Sequence, residues 1–170
     1  MVKLHLGCGK RDFGPSWVHI DKADFPHIKY KDVTKLPFET GTVDVIYACH
    51  LIAYFDREEI IPILKEWKRV LIPGGVLRLA TPDFRAMAKM YLRENCSNLN
   101  QFLGPLYGKM DGIYHKTTYD LYSLIELLAS VGFKDIRKYD RFKTDHARHD
   151  DHSAAMIEGN LISLNIQCYA

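Results

Sequence analysis

Apolar and polar residues alternate in two short stretches near the start of the chain. Leu4 and Leu6 bracket His5, and Val18 and Ile20 bracket His19, so each stretch predicts a short strand. Residues 28–33 alternate again and predict a third strand at a sheet edge. Residues 43–49 form a nearly continuous apolar run, the pattern of a central strand covered on both faces. The period then changes. Ile60, Ile61, Ile63, Leu64, Trp67, Val70 and Leu71 make a helical stripe, opened by Asp56 as N-cap with Glu59 at the capping-box position, and stopped by Ile72-Pro73-Gly74-Gly75. Residues 76–80 predict the next buried strand. A second helix is expected from Asp83 to about Asn95, with Phe84, Met87, Met90 and Tyr91 on one face, and a third from Asp120 to Val131, closed by Gly132. Residues 161–169 alternate cleanly and predict a last, antiparallel strand. The chain of 170 residues therefore reads as one α/β domain, 1–170, built on a doubly wound, mostly parallel sheet that binds its ligand at the carboxyl ends of the strands. The helices after the first and second strands are reduced to loops. That predicts a thinly covered sheet face, with apolar surface for a homodimer partner.

The candidate chemistry begins between the first two strands. Gly7-Cys8-Gly9 is a turn without bulky side chains, which lets a ligand approach the backbone, and Asp21 ends the second strand. An acid there can accept hydrogen bonds from ribose hydroxyls. A dinucleotide site needs a third glycine beside the pyrophosphate, but Asp12 stands at that position. Asp21 also follows Gly9 by 12 residues, against roughly 20 in the dinucleotide pattern. A ribose-bearing cofactor without phosphate fits better, which disfavours a nicotinamide-dependent reductase.

Net charge of +2 gives no electrostatic reason to expect nucleic acid, and no apolar run approaches the roughly 18 residues of a membrane span. No signal peptide precedes Leu4. Cys8, Cys49, Cys96 and Cys168 are scattered, with no Cys-x-x-Cys pair, as expected of reduced thiols in a cytoplasmic protein without a cysteine-zinc site. Residues 96–118 and 144–160 are rich in polar and turn-forming residues and are expected as substrate-side loops.

Leu6-Gly7-Cys8-Gly9 followed by Gly14-Pro15-Ser16-Trp17-Val18-His19-Ile20-Asp21 resembles the first motif of class I S-adenosylmethionine-dependent methyltransferases, in particular the short type 11-like branch. The segment E-W-x-R-V-L-x-P-G-G-x-L-R-L-A-x-P-D-F, residues 66–84, is a longer and more specific match to the same branch, and Gly132-Phe133 resembles its turn into the sixth strand. The resemblance implies a Rossmann-like fold and S-adenosyl-L-methionine as cofactor. It implies a cofactor site of Gly7, Gly9 and Asp21, with Cys8 and Lys10 as loop neighbours, and Asp32 and Val33 contacting the adenine. Association of this branch with polysaccharide biosynthesis points to a small-molecule or sugar acceptor and to O-methylation.

Methyl transfer from a sulfonium is an in-line displacement whose main demand is alignment, worth effective molarities of about 10⁵–10⁸ M. A hydroxyl acceptor also needs a general base near neutral pKa. Three residues are candidates. His50 follows the central strand and borders the cofactor, and its family motif continues to a Glu-His pair that Ala53-Tyr54 replace here. Asp83 ends the fifth strand, where it can touch the acceptor, but is better suited to cap the next helix. His115 matches a family position on the loop over the site and is the preferred base. Asp145-His146-Ala147-Arg148-His149-Asp150-Asp151-His152 has metal-ligating residue types, but Arg148 inside it favours a solvated loop, and no metal is expected. The missing Glu-His pair leaves one alternative from another class, a partner subunit that binds the cofactor without catalysis.

Overall fold

The computed structural model describes residues 1–93, 98–108 and 112–170; Cys96 and the expected helix end near Asn95 lie outside them. The alternating stretches become β1 (Lys3–Leu6) and β2 (Val18–Ile20), followed by β3 (Ile28–Tyr30) and β4 (Val43–Cys49). The helical stripe is α1 (Ile60–Val70), and β5 spans Leu71–Pro82. Beyond it come α2 (Phe84–Tyr91), α3 (Asn100–Tyr107), α4 (Leu121–Val131) and β6 (Lys134–Lys138). A hairpin of β7 (Met156–Ile157) and β8 (Asn160–Leu161) leads into β9 (Ser163–Tyr169). Seven strands form one sheet in the order β3-β2-β1-β4-β5-β9-β6, with parallel pairing from β3 to β5. β9 runs antiparallel between β5 and β6. The expected last strand is thus present but begins at Ser163, because Leu161 belongs to the hairpin.

Pleating sends alternate side chains to opposite faces, and the two faces are covered differently. On the first, Leu4, Leu6, Ile20, Ile46, Leu77, Leu79 and Ile166 pack under α1 and α4 through Leu64, Trp67, Leu124 and Leu128, all fully buried. α1 forms but ends at Val70, so Leu71, expected in its stripe, instead opens β5, which runs on through Pro73-Gly74-Gly75. Asp56 accepts hydrogen bonds from the Glu58 and Glu59 amides, and the Glu59 carboxylate accepts one from the Asp56 amide. Ile60, Ile63, Leu64, Trp67 and Val70 are buried, while Ile61 faces out. Gly132 closes α4 in the left-handed conformation. In α2 the expected apolar face is only half realised: Met87 and Met90 are buried with Phe102 and Ile162, whereas Phe84 and Tyr91 are exposed.

The second face corrects two expectations. It carries His5, His19, Val45, Tyr47 and Arg78, and it is covered by chain rather than left open. Phe13 and Trp17 from the loop before β2 pack on Val45 and Tyr47. Residues 141–153, which include the run Asp145–His152 expected as a solvated loop, lie across the rest. His146 is fully buried against Tyr47, with ring centroids 4.0 Å apart, and Phe13 is stacked between His5 at 4.0 Å and His149 at 4.2 Å. The buried Asp151 carboxylate accepts from Tyr47 Oη at 2.6 Å and from the Ser153 amide at 2.8 Å. Lys3 and Arg78 both pair with Asp145, at 2.6 and 2.8 Å. The bare face from which a homodimer was argued is therefore occupied by the chain's own polar segment. Residues 96–118, expected as a loop, contain α3 in their described part. No helix in the described residues is long and apolar enough to cross a membrane.

Candidate cofactor and catalytic site

The carboxyl ends of β1 and β2 meet at Gly7-Cys8-Gly9. Gly7 has φ +66°, and its amide donates to the Ile20 carbonyl at 2.8 Å. A Cβ on Gly7 would lie 2.9 Å from the Leu51 side chain, so the turn passes too close to the segment after β4 for any larger residue. Gly9 has φ +53°, and nothing lies within 4 Å of where its Cβ would be. That space is open to a ligand. The Asp21 carboxylate is at the turn, where Oδ2 accepts from the Gly9 amide at 2.7 Å and Oδ1 from the Ala23 amide at 2.8 Å. A carboxylate has about four acceptor directions, so each oxygen keeps capacity for a ribose hydroxyl. Bare backbone beside a fixed carboxylate fits a phosphate-free nucleoside. Cys8 is buried at the turn, and burial, with the Asp21 charge second, pushes its thiol up to about 12. Lys10 is exposed beyond it.

Asp32 and Val33 follow β3. Asp32 is exposed and accepts from both the amide and the hydroxyl of Thr34, at 2.7 and 2.6 Å, which lowers its carboxyl below the usual range. Val33 is buried. The next residues are gripped by α1 through the residues of the E-W-x-R segment. Trp67 Nε1 donates to the Val33 carbonyl at 2.7 Å, Glu66 Oε1 accepts from the Leu36 amide at 2.9 Å, and Arg69 Nη2 donates to the Phe38 carbonyl at 3.0 Å. Arg69 and Glu66 are themselves paired at 2.7 Å. The motif thus has a physical reading: it clamps the wall beside Asp32 and Val33 with buried or half-buried polar contacts.

The three catalytic candidates occupy different situations. His50 sits at the carboxyl end of β4 with φ +52°, a conformation costly for a residue with a Cβ and concentrated at functional sites. Its amide donates to the Ala80 carbonyl at 2.7 Å, its Nε2 lies 3.2 Å from Ser163 Oγ, and its ring lies 5.4 Å from that of His152. Burial first, then His152 and His115, hold its imidazole down to about 3, so it stays neutral and is a poor proton acceptor. His115 is half-buried. Its Nδ1 lies 3.1 Å from the Pro105 carbonyl, an atom that can only accept, so Nδ1 carries the proton and Nε2 keeps its lone pair. Tyr54 packs edge-on at 4.5 Å, and burial lowers the imidazole below its ordinary value. The amides of Lys116 and Thr117 donate to the Ala53 carbonyl at 2.8 and 3.1 Å, strapping this loop to the residues after His50. Asp83 caps α2: its Oδ1 accepts from the Ala86 amide at 3.1 Å. Among the described residues, no three His, Cys, Asp or Glu side chains converge to hold a metal ion.

Sequence reasoning missed Ser163 and His27, and weighed His152 only within a run of metal-ligating residue types. Ser163 and His152 reach His50 from more than 100 positions away, which local pattern does not encode. His27 touches the Gly-rich turn through its ring, Nε2 lying 3.0 Å from the Gly9 carbonyl.

With this geometry in hand, the comparisons with known proteins are specific. Residues 10–79 match the family model described as a methyltransferase domain. No curated protein matches the chain in sequence. Solved structures similar along its length include a SAM-dependent methyltransferase from Archaeoglobus fulgidus, at 13% identity, covering 99% of this chain and 86% of that one, with TM-score 0.63. Another is the 1,6-didemethyltoxoflavin-N1-methyltransferase of Burkholderia thailandensis with bound 1,6-didemethyltoxoflavin and S-adenosylhomocysteine, at 14% identity, 99% and 70% coverage and TM-score 0.61. A third is a complex of the Haloferax volcanii Trm112 methyltransferase activator with a putative methyltransferase, at 14% identity, 99% and 81% coverage and TM-score 0.56. The methyltransferase-domain match spans the part of the chain that holds Asp21 and the clamp, and the fold along the rest is shared with these solved structures, in agreement with the resemblance to class I S-adenosylmethionine-dependent methyltransferases.

Proposed function

We propose that the protein methylates a hydroxyl of a small-molecule or sugar acceptor, with His115 as general base. The observation that carries this reading is the Nδ1 contact of His115 with the Pro105 carbonyl, which leaves Nε2 unprotonated and available to a hydroxyl proton. When bound, S-adenosylmethionine supplies a methyl carbon activated by the neighbouring sulfonium charge. Asp21 and the bare turn at Gly7 and Gly9 hold the nucleoside. Asp32 and Val33, clamped by α1, form the wall for its base. His115 Nε2 takes the acceptor proton as the new oxygen–carbon bond forms and the carbon–sulfur bond breaks. His50, neutral and fixed by Ser163, orients the acceptor by hydrogen bonding without exchanging a proton, and Asp83 holds α2 in place.

Replacing His115 by Ala is expected to lower turnover by about 10²–10⁴-fold, the usual contribution of a positioned base, with S-adenosylhomocysteine affinity unchanged within about twofold. The measurement is labelled-methyl transfer to a panel of sugar and small-molecule hydroxyl acceptors, paired with calorimetry. Full turnover in the variant, or product methylated only at nitrogen, would remove this reading. The second reading is a cofactor-binding partner subunit, favoured by Ala53-Tyr54 in place of the Glu-His pair. It predicts tight cofactor binding, no methylated product from any acceptor, and a hetero-oligomer, an arrangement of the general kind seen in the activator complex from Haloferax volcanii.

A further inference from the structure

We propose that His27 is a positioning residue of the cofactor turn, taking over the task that a helix N-terminus performs in most doubly wound folds. The inference rests on the cofactor reading above. In such folds the glycine-rich turn runs straight into a helix, whose first turn fixes the peptide planes facing the ligand. Here the turn is followed by irregular chain: residues 10–17 contain no helix. Its own closure is one backbone hydrogen bond, Arg11 amide to Cys8 carbonyl at 3.0 Å. Something else must orient Gly9, which has φ +53° and no side chain to restrain it.

Both polar groups of Gly9 are held from outside the turn. Its amide donates to Asp21 Oδ2 at 2.7 Å, and its carbonyl receives His27 Nε2 at 3.0 Å. Because a carbonyl only accepts, the His27 proton resides on Nε2. The ring is fixed in turn by its neighbours: His19 edge-on at 5.1 Å, Phe25 stacked at 5.9 Å and Cys8 Sγ at 3.9 Å. The loop between β2 and β3 therefore reaches back over the turn and pins the Gly9–Lys10 peptide, directly after the peptide whose amide meets the Asp21 carboxylate. Without the His27 donor, Gly9 keeps only its amide bond to Asp21, the Gly9–Lys10 peptide can turn, and the carboxylate is less well aimed at the ribose. His27 acts through Gly9 and Asp21 rather than on the nucleoside.

The test is calorimetric titration with S-adenosylhomocysteine of the native protein, His27→Phe and His27→Gln, with thermal unfolding of each without ligand. Phe keeps a ring against His19 and Phe25 but has no donor, whereas the Gln amide can donate to the Gly9 carbonyl. His27→Phe is expected to bind about tenfold more weakly, the usual effect of one lost hydrogen bond. His27→Gln is expected to recover affinity to within about threefold of native, with similar unfolding temperatures for the two variants. Native affinity in His27→Phe, or equal weakening in both variants, would overturn the role of His27 while leaving the cofactor reading intact. No binding to the native protein would overturn both.

Discussion

Acidification below pH 6.5 is expected to destabilise the unliganded protein steeply, lowering the urea midpoint with each step and abolishing the fold near pH 4. The cause is the layer over the second sheet face. His5 and His146 are essentially inaccessible to solvent, and neither nitrogen of His146 has a hydrogen-bond partner among the described residues. Burial holds His5 well below 6.5 and His146 down to about 4, and His50 is held near 3. Charged neighbours do not reverse this. Arg78 and Arg141 oppose a positive His146, and the carboxylates Asp145 and Asp151 offset burial only in part. The sign follows from linkage. A histidine whose folded pKa is depressed binds fewer protons folded than unfolded, so its contribution is intact above 6.5 and is lost as pH falls toward the folded value. Each such group costs about 1.4 kcal/mol per pH unit in that window. Two or three together cost roughly 3–4 kcal/mol per unit, so two units approach the whole stability of an ordinary domain. Asp145 and Asp151, held below their ordinary values, add losses of the same sign at lower pH. His146→Phe, which keeps a ring against Tyr47, should flatten the slope by about 1.4 kcal/mol per unit. A urea midpoint that stays level from pH 7 to 5 would show that these imidazoles are not buried neutral.

That layer is also where the sequence was least readable. Leu4, Leu6, Val18 and Ile20 announce their strands because one face is buried and the other is not, and period two follows directly from that. The stripe of α1 and its capping box are equally local, and so are Gly7, Gly9 and Asp21, which sit within one strand–loop–strand unit. Residues 141–153 are different. Their His and Asp content reads as solvated, and only contacts such as Tyr47 with Asp151, 104 positions apart, make them interior. Two signs were available: His5 and His19 occupy the non-core face of adjacent strands, and Phe13 and Trp17 are too apolar for a free loop. Together they imply a cover of aromatic and imidazole character. α3 was hidden for another reason, since Gly104 and Pro105 are helix breakers tolerated there by packing of Phe102 with Met87 and Met90.

Asp21→Ala is expected to weaken S-adenosylhomocysteine binding by at least about a hundredfold while leaving the protein folded. The carboxylate has two duties. It accepts from the Gly9 and Ala23 amides, which shapes the turn, and under the proposed reading its remaining lone pairs take the ribose hydroxyls. Hydrogen bonds to a charged group contribute about 1.5–3 kcal/mol each, so losing two ribose contacts corresponds to roughly two to four orders of magnitude in affinity. The cost in stability is smaller, about 1–2 kcal/mol, because both amides lie at a half-exposed turn where water can replace the carboxylate. Asp21→Asn separates the two duties poorly, and for an instructive reason. Its single carbonyl oxygen can face one amide, but its NH₂ then opposes the N–H of the other, so the turn itself must shift. The Asn variant is therefore expected to bind nearly as weakly as the Ala variant despite its matching shape. This ordering is what a ribose-clasping carboxylate predicts. A capping residue indifferent to the ligand would give affinities within threefold of native in both variants, and calorimetry with S-adenosylhomocysteine distinguishes the two.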